Sequence, residues 1–231
     1  MKHYRHLFFD LDHTLWDFRA NSRATLEELY HAEGLASLGV PDAQAFVEVY
    51  EEVNHGLWAR YEAGHLHKDV LRVLRFRNTL LHFGIRHADL GARLGEAYLE
   101  ACPRKPLLMP GAKALLAELH GSHRMHIITN GFDSVQRVKL ECAGIGAYFD
   151  VVLSSERAGA RKPDPRIFEK ALRSAGATVS ESLMIGDNAE ADMRGARDAG
   201  IDHVHYTVDS TPDPLSTYRI AHFDELRALL A

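Results

Sequence analysis

Cysteine is scarce in this sequence, with only Cys102 and Cys142 among 231 residues. A disulfide framework is therefore excluded, and we expect two free thiols in a reducing, cytoplasmic compartment. Long apolar runs are also missing, because no stretch approaches the roughly 18 residues that a membrane span needs. The run from Leu7 to Phe9 is too short for the core of a signal peptide, so we expect no membrane contact.

An excess of positive charge is lacking as well. The chain has 27 lysine and arginine residues against 32 aspartate and glutamate residues, a net charge of -5 at pH 7. A broad basic surface for nucleic acid or an anionic membrane is therefore not expected. Hydrophobic residues make up 46% and charged residues 26% of the chain, which is typical of a globular protein that can bury a sizeable core.

Short apolar runs alternate with helix-like segments in the second half of the chain. This pattern predicts an α/β fold with a Rossmann-like, mainly parallel sheet, because strand–helix–strand repeats favour right-handed crossovers. Strands are predicted at 6–9, 125–129, 150–153, 183–186 and 203–206. Helices are predicted at 111–119, 134–143, 164–175, 189–199 and 222–230.

The segment from 16 to 106 has a different texture, with apolar residues at helical spacing and no strand-like alternation. Its clearest helical stretches are 22–33, 43–62 and 69–83. The segment interrupts the sheet directly after the first strand, so both of its junctions fall at one edge of the sheet. We therefore predict a core of residues 1–15 and 107–231 and an inserted all-helical cap of residues 16–106 over the strand ends.

Two carboxylates follow directly on the first strand, in the stretch Asp10-Leu11-Asp12-His13-Thr14. Open α/β sheets bind ligands at the carboxyl ends of their strands, which is where this stretch lies. Two like charges so close together are costly, so the pair predicts a hard, oxygen-preferring cation such as Mg2+. Taken alone, the stretch also fits a strand end followed by a capped turn.

The later strand ends carry polar groups too. Thr129 and Asn130, followed by Gly131, offer a hydroxyl and backbone N–H groups that suit a phosphate oxygen. Lys162 comes just before a helix that begins with proline. The fourth strand is followed by the stretch GDNAEAD (186–192), which offers further carboxylates, among them Asp187 and Asp192, and the amide of Asn188. Each strand end of the expected site thus offers a group that suits phosphoryl transfer.

Four stretches resemble, in order and spacing, the four motifs of the haloacid dehalogenase superfamily of hydrolases. They are DLDHTL (10–15), ITN (128–130), KPDPRIF (162–168) and GDNAEAD (186–192). One such motif would be a weak signal, but four in order are specific. The resemblance spans the whole chain, including a helical cap between the first and second motifs.

The resemblance implies a reaction, and individual residues indicate which branch of the superfamily the chain resembles. Asp10 resembles the nucleophile that forms an aspartyl phosphate, and Asp12 resembles the general acid and base. The dehalogenases proper lack a carboxylate at the position of Asp12, so dehalogenation is disfavoured. Phosphonate cleavage needs a cap lysine, and Lys68 is the only lysine between 16 and 104, which leaves that branch open but disfavoured.

The resemblance also implies a metal site and a phosphate site. The side chain of Asp10, the backbone carbonyl of Asp12 and Asp187 resemble the ligands of Mg2+. Asp192 and Asn188 resemble residues that act behind the direct ligands. The donors that resemble those of a phosphate site are Thr129, the Asn130 amide and Lys162.

Substrate choice must come from the cap and from the loop after the first strand. The stretches DLDHTLWDF (10–18) and NHGLWARYEAGHLHKD (54–69) are similar to the pyrimidine 5'-nucleotidase branch of the superfamily. The similarity implies a Mg2+-dependent phosphomonoesterase acting on dUMP, UMP, dTMP or modified analogues. Stacking rings and hydrogen-bonding groups suit a base. The candidate substrate contacts are His13, Trp16, Asn54, Trp58 and Arg75.

Other interpretations remain open. Trp58 and Tyr61 have the spacing of packed helix residues as well as of ligands. The reaction could be that of a small-metabolite phosphatase acting on phosphoglycolate or a sugar phosphate, or that of a capped phosphomutase. A non-enzymatic phosphate-binding protein fits less well, because the reactive residues are all present. In each case the expected partner is a small phosphorylated metabolite, and the protein is a monomer or a homodimer.

Overall fold

The computed structural model describes residues 2–207 and 213–230. The chain divides into two compact units, one formed by Met1–Phe18 and Lys105–Ala231 and the other by Arg19–Arg104. We call them the sheet unit and the helical unit. The helical unit begins at residue 19 where the sequence predicted 16, and it ends at 104 where the sequence predicted 106. Trp16 therefore belongs to the sheet unit.

The sheet unit is built on a six-stranded sheet with the strand order β3-β2-β1-β4-β5-β6. Every neighbouring pair in it is parallel. The strands are β1 (His6–Phe9), β2 (Arg124–Thr129), β3 (Phe149–Ser154), β4 (Ser182–Gly186), β5 (Asp202–Tyr206) and β6 (Tyr218–Ile220). The predicted Rossmann-like, parallel α/β core is thereby confirmed, and all five predicted strands are present.

The central strand β1 determines where the site lies. All four of its residues are buried, as expected for a strand covered on both faces. Its last residue, Phe9, lies opposite Ile127 of β2 and Ile185 of β4. From β1 the chain order of the strands runs outward to β2 and β3 on one side and to β4, β5 and β6 on the other. This reversal of strand order is a topological switch point, and open α/β sheets bind ligands outside the strand ends at such a point. Asp10, the next residue, emerges there.

The helical unit consists mainly of four helices. They are α1 (Phe18–Ala32), α2 (Ala43–Glu62), α3 (Lys68–His82) and α4 (Ala88–Ala101). Sequence reasoning did not assign α4 a range of its own. Gly91 and Gly95 lower its helix propensity, and an added Cβ would lie 3.6 Å from the Arg77 backbone and 3.7 Å from the Arg72 carbonyl. Both glycines therefore face α3, where an added Cβ would make ordinary van der Waals contact.

Six helices cover the sheet or connect its strands. They are α5 (Ala112–Leu119), α6 (Asp133–Cys142), α7 (Ser155–Ala158), α8 (Pro165–Ala175), α9 (Gly195–Asp198) and α10 (Phe223–Leu230). The helix predicted at 189–199 is divided, because a π-helical stretch, Ala189–Arg194, precedes α9. Gly195 lies at the junction, where an added Cβ would lie 2.5 Å from the Phe168 ring.

Helix α8 anchors the loop before it, which carries Lys162. Asp164 caps its first turn by accepting a hydrogen bond from the Arg166 N–H, and Pro165 occupies the first helical position. Ile167 and Phe168 are fully buried in a hydrophobic cluster that also contains Phe8 of β1. The loop that carries Lys162 is therefore anchored by a well-capped helix on the sheet.

Two expectations about the chain's surroundings can be compared with the structure. Cys102 and Cys142 are both free, which confirms the prediction of two thiols. Across residues 2–207 and 213–230, no helix is both long enough and apolar enough to cross a membrane.

Candidate active site

The loop after β1 holds the two carboxylates that the sequence singled out. The backbone N–H of Asp10 donates to the Ile185 carbonyl of β4 at 2.9 Å. The Trp16 N–H donates back to the Leu11 carbonyl at 2.8 Å, which closes the loop tightly. Within it, His13 has a φ of 64°, a left-handed conformation that residues other than glycine adopt rarely. The loop is thus tightly constrained at the point where the carboxylates lie.

Asp10 lies in a group that we call the Asp10 cluster, with Lys162, Asp187 and Asp192. The Lys162 Nζ lies 2.5 Å from the Oδ1 of Asp10 and 2.5 Å from the Oδ1 of Asp192. Carboxylate oxygens of the three aspartates lie within 4.8 Å of one another. The cluster contains three carboxylates and one ammonium in a largely buried space, a donor set that suits a hard divalent cation.

The charges of the Asp10 cluster perturb one another. Burial raises the pKa of Asp10 well above its usual range; Lys162 opposes this rise, and the charges of Asp192 and Asp187 add to it. Burial and the charge of Asp192 raise the pKa of Asp187 to about 7. Burial acts to lower the pKa of Lys162, but its attraction to Asp10 and Asp192 outweighs burial and raises it. A bound cation would favour the ionised forms of these carboxylates.

Asn130 places Lys162 in this cluster. Its side-chain Nδ2 donates to the Lys162 carbonyl at 3.0 Å, and its Oδ1 accepts from the Lys162 N–H at 2.9 Å. This reciprocal pair joins the end of β2 to the loop before α8. Because the side chain of Asn130 is engaged in this way, a phosphate contact would fall to its backbone N–H.

Asp12 lies in a separate group that we call the Asp12 cluster, with Thr129, Gln136 and Lys139. The Lys139 Nζ lies 2.5 Å from the Oδ1 of Asp12, and the Gln136 Nε2 lies 2.8 Å from its Oδ2. The same Nε2 lies 2.7 Å from the Thr129 Oγ1. Burial acts to raise the pKa of Asp12, but the charge of Lys139 and the hydrogen bonds from Lys139 and Gln136 outweigh burial, so this pKa is lowered.

Sequence reasoning missed Gln136 and Lys139. Both lie on α6, three residues apart and therefore on one face of the helix. That spacing is common in any amphipathic helix, so it carried no specific signal. The informative feature is their burial, at 1% and 4% exposure, which only the folded chain displays.

Thr14 and His205, for which the sequence predicted no role, both donate hydrogen bonds to Asp187. The Thr14 Oγ1 donates to the Asp187 Oδ1 at 3.1 Å. The Asp213 N–H donates to the His205 Nδ1 at 3.0 Å, so the proton of this imidazole lies on Nε2. That Nε2 donates to the Asp187 carbonyl at 2.8 Å. Asp187 is thus fixed through both its side chain and its backbone.

Asp192 and Asn188 are engaged by protein groups. The Asp192 Oδ1 faces Lys162, and its Oδ2 accepts from the Asn188 N–H at 3.1 Å. The Asn188 Oδ1 accepts from the N–H groups of Glu190 and Ala191, and so caps the following helical turn. Both side chains are thus held by hydrogen bonds within the protein, while Asp192 remains close to Asp10 and Asp187.

The candidate substrate contacts fall into two groups. Asn54 and Arg75 lie in the helical unit and are 8% and 4% exposed. Within the described residues, the Asn54 Oδ1 and the Arg75 Nε and Nη2 have no hydrogen-bond partner. Leaving such groups buried and unsatisfied costs about 1–3 kcal/mol each. Trp58, also in the helical unit, is half-buried and meets Tyr61 edge to face at 5.4 Å.

His13 and Trp16 lie in the sheet unit. His13 is exposed, with its ring 5.0 Å from that of Phe18. Trp16 is fully buried; its Nε1 donates to the Lys105 carbonyl at 3.0 Å, and the Lys139 Nζ lies 4.3 Å from its ring centre. The expectation that Trp16 stacks on a base is a misassignment, because its ring has no exposed face and already contacts a lysine.

The fold and the two clusters together define a Rossmann-like enzyme whose reactive groups lie at the carboxyl ends of a parallel sheet. The family model of the haloacid dehalogenase-like hydrolases matches residues 4–200. The chain therefore belongs to this family, which confirms the predicted family and the prediction of an enzyme.

Named relatives cover almost the whole chain. Pyrimidine 5'-nucleotidase PynA of Streptococcus pneumoniae is 33% identical over 228 residues, which is 96% of this chain and 93% of that protein. Pyrimidine 5'-nucleotidase YjjG of Escherichia coli is 32% identical over 228 residues, which is 97% of this chain and 96% of that protein. The crystal structure of the HAD-hydrolase YfnB from Bacillus subtilis, described as bound to magnesium, covers 99% of both chains with a TM-score of 0.89 and 29% identity.

Proposed function

We propose that this hydrolase is a cytoplasmic, Mg2+-dependent phosphomonoesterase that acts on pyrimidine nucleoside 5'-monophosphates such as dUMP, UMP or dTMP, or on modified analogues. One observation carries the reaction: a buried carboxylate, Asp10, lies at the switch point of the sheet, 2.5 Å from a buried lysine. A phosphate drawn to that lysine would meet the carboxylate directly.

The proposed reaction has two steps. A carboxylate oxygen of Asp10 attacks phosphorus and the bond from phosphorus to the ester oxygen breaks. That oxygen takes a proton from the protonated form of the Asp12 carboxyl group and leaves as an alcohol. Water then attacks the phosphorus of the aspartyl phosphate while Asp12 accepts its proton, which releases inorganic phosphate and restores Asp10. Each step is easier than direct displacement by water, because the reacting groups are already in place.

The donors around Asp10 balance the charge of the transferring group. Lys162 supplies a fixed positive charge, and the Thr129 hydroxyl and the Asn130 backbone N–H supply hydrogen bonds. Lys162 is 3% exposed and Thr129 is 1% exposed, so water weakens these interactions little.

The Asp10 cluster fits a divalent cation, since three carboxylates crowd around one ammonium. The side chains of Asp10 and Asp187 and the backbone carbonyl of Asp12 would hold Mg2+. When bound, Mg2+ supplies positive charge to a phosphate oxygen and to the crowded carboxylates. Asp192 instead keeps Lys162 in place.

The nucleotide assignment is supported by the two named nucleotidases and by the helical unit. The unpartnered atoms of Asn54 and Arg75 suit the carbonyl and N–H groups of a base edge or the oxygens of a sugar. Trp58 and His13 remain proposed contacts.

A substrate panel tests the proposal. Phosphate release with Mg2+ is measured for dUMP, UMP, dTMP, purine nucleotides, sugar phosphates, phosphoglycolate and phosphoserine, and we expect the pyrimidine nucleotides to give the highest kcat/KM. A sugar phosphate or phosphoglycolate as best substrate would overturn the nucleotide assignment and keep the phosphatase. An isomerised sugar phosphate in place of free phosphate would identify a phosphomutase, and no release from any ester would remove the enzymatic proposal.

Arg75→Met tests the substrate contact separately. We expect the KM for the best nucleotide to rise about tenfold, the effect of one lost hydrogen bond to a charged group, with little change for p-nitrophenyl phosphate, which has no base. Arg77→Met, an exposed change on the same helix, is the matched control. Equal losses on both esters would contradict a role in base recognition.

A further inference from the structure

The Asp12 cluster contains two buried residues that the proposed reaction does not use. Lys139 and Gln136 are 4% and 1% exposed, and buried lysines are rare unless they are paired. Their partners are the two oxygens of one carboxylate: Lys139 faces Oδ1 at 2.5 Å and Gln136 faces Oδ2 at 2.8 Å. With a donor on each oxygen, the Asp12 carboxylate is held in one orientation.

Gln136 also connects this carboxylate to the phosphate-binding group. Its Nε2 donates to Asp12 and, at 2.7 Å, to the Thr129 Oγ1. One amide nitrogen thus sets the distance between the Asp12 carboxylate and the Thr129 hydroxyl. In the part of the chain that the structure describes, the Gln136 Oε1 is buried without a partner. A buried acceptor without a donor lowers stability, so this arrangement is not one that stability alone would favour.

The path of the Gln136 side chain explains why residue 131 is a glycine. A Cβ added to Gly131 would lie 2.1 Å from the Gln136 Nε2 and 2.5 Å from its Cδ. No other residue type leaves this space, because every other side chain begins with a Cβ. Gly131, which follows the second motif, therefore leaves room for the path that the Gln136 side chain takes to Asp12.

Lys139 is held on its other side by aromatic rings. Its Nζ lies 4.3 Å from the ring centre of Trp16 and 5.4 Å from that of Phe18, within the range of cation–π attraction. Trp16 is itself fixed by the hydrogen bond from its Nε1 to the Lys105 carbonyl. The ammonium thus has a defined position between the rings and the carboxylate.

We propose that Lys139 and Gln136 are positioning residues, which hold the Asp12 carboxylate where it exchanges a proton with the leaving oxygen and then with water. This assignment rests on the proposed function and deepens it. A group fixed at the reacting atoms loses little entropy on reaching the transition state, whereas a freely rotating carboxylate must first be ordered.

The test compares two leaving groups in Lys139→Met and Gln136→Met. A nucleotide releases an alkoxide that needs a proton, whereas p-nitrophenol leaves without one. First-turnover rates are measured by rapid quench, and we expect the nucleotide rate to fall about 100-fold, within the usual contribution of general acid catalysis, and the p-nitrophenol rate to change less than about threefold. Steady-state turnover should fall for both esters, because Asp12 also activates water.

Two controls accompany these variants. Arg137→Met changes an exposed neighbour on the same helix and should leave both rates as in the wild type. Lys139→Arg keeps the positive charge and should recover part of the nucleotide rate. The amplitude of the p-nitrophenol burst reports the fraction of correctly folded enzyme in each variant.

The outcomes separate this assignment from the proposed function. If the wild type releases no phosphate from either ester, the proposed function fails and this assignment fails with it. If the wild type is active and both variants lose the two first-turnover rates equally, or lose neither, only the positioning role is overturned. A loss confined to the nucleotide, with recovery in Lys139→Arg, supports it.

Discussion

Asp10 and Asp12 are two residues apart in the chain, yet they lie in two contrasting environments. In the Asp10 cluster, one lysine is shared between carboxylates and the pKa of Asp10 is raised. In the Asp12 cluster, a single carboxylate faces a lysine and an amide that also contacts Thr129, and its pKa is lowered. The partners therefore set the chemistry of each carboxylate, and they come from different elements: Lys162 from the loop before α8, and Lys139 from α6.

The largest effect is expected from removing the Asp10 carboxylate, which is the proposed nucleophile. Asp10→Asn should lower phosphate release by at least about 1,000-fold, because the amide cannot form the aspartyl phosphate. Asp224→Asn, at an exposed position on α10, is the control for the same chemical change. Activity within about tenfold of the wild type, with deamidation excluded by mass spectrometry, would contradict the assignment of Asp10.

The Mg2+ requirement should depend on the Asp10 cluster and not on the side chains of the Asp12 cluster. A chelator should abolish activity and added Mg2+ should restore it. Asp187→Asn should raise the Mg2+ concentration needed for half-maximal activity by about 10–100-fold, the usual cost of a disturbed metal site. Lys139→Met, in the other cluster, should leave this concentration unchanged. An equal shift in both variants would mean that the clusters are not separate.

Two glycines offer a third comparison. In Gly186→Ala the new Cβ would lie 2.3 Å from the Asp192 Oδ2, and in Gly131→Ala it would lie 2.1 Å from the Gln136 Nε2. Gly186→Ala should cost about 1–3 kcal/mol of stability through overpacking against Asp192, whereas in Gly131→Ala the far end of the Gln136 side chain can move aside at a smaller cost. Gly186→Ala should raise the Mg2+ requirement, and Gly131→Ala should lower turnover of the nucleotide more than first-turnover release of p-nitrophenol.

The control for this pair is Gly56→Ala in α2, where an added Cβ meets nothing within 4 Å. It should leave activity unchanged and raise the free energy of unfolding by about 0.5–1 kcal/mol, since alanine favours a helix. The same kinetic phenotype from both Gly131→Ala and Gly186→Ala would erase the distinction that they are meant to test.

The smallest effect is expected from the strands that support both clusters. His126 of β2 is buried against His6 of β1, their ring nitrogens lie 3.0 Å apart, and burial lowers the pKa of His126 to about 4. The unfolded chain binds this proton near pH 6.5, so stability is full above pH 6.5 and falls as the pH drops towards 4. We expect a loss of about 2 kcal/mol between pH 7 and pH 5 from this group, measured by urea unfolding.

His126→Phe removes the titrating group from the strand. Its free energy of unfolding should depend less on pH in this range than that of the wild type, whatever its value at pH 7. An unchanged pH dependence would mean that other groups cause the loss. The kinetic contrast between the clusters should remain in this variant.

Much of the fold could be predicted because its signals are local. The run at 6–9 and the later apolar runs are buried strands, and the motif residues follow them at the strand ends. The Asp10 cluster was predicted for the same reason, since parallel strands bring their ends together. Such inferences need only the order of strands and the residues that follow them.

The Asp12 cluster could not be predicted in the same way. A lysine and a glutamine three apart on α6 become informative only when that helix packs against the loop after β1. The role of Trp16 was predicted wrongly for a related reason. An aromatic ring next to a motif can stack on a substrate base or contact a cationic side chain, and the sequence does not show that Lys139 contacts this ring. Helix α4 was not assigned because its glycines weaken the local signal.

The division of work between Asp10 and Asp12 is tested most directly by trapping the covalent intermediate. Asp12→Asn is mixed with p-nitrophenyl phosphate, quenched in acid within one turnover and digested for mass spectrometry. The account predicts a burst of p-nitrophenol of about one equivalent and a phosphate on Asp10 that persists, because the step that needs a base is blocked. A burst without phosphate on Asp10, or the same phosphopeptide from Asp10→Asn, would contradict it.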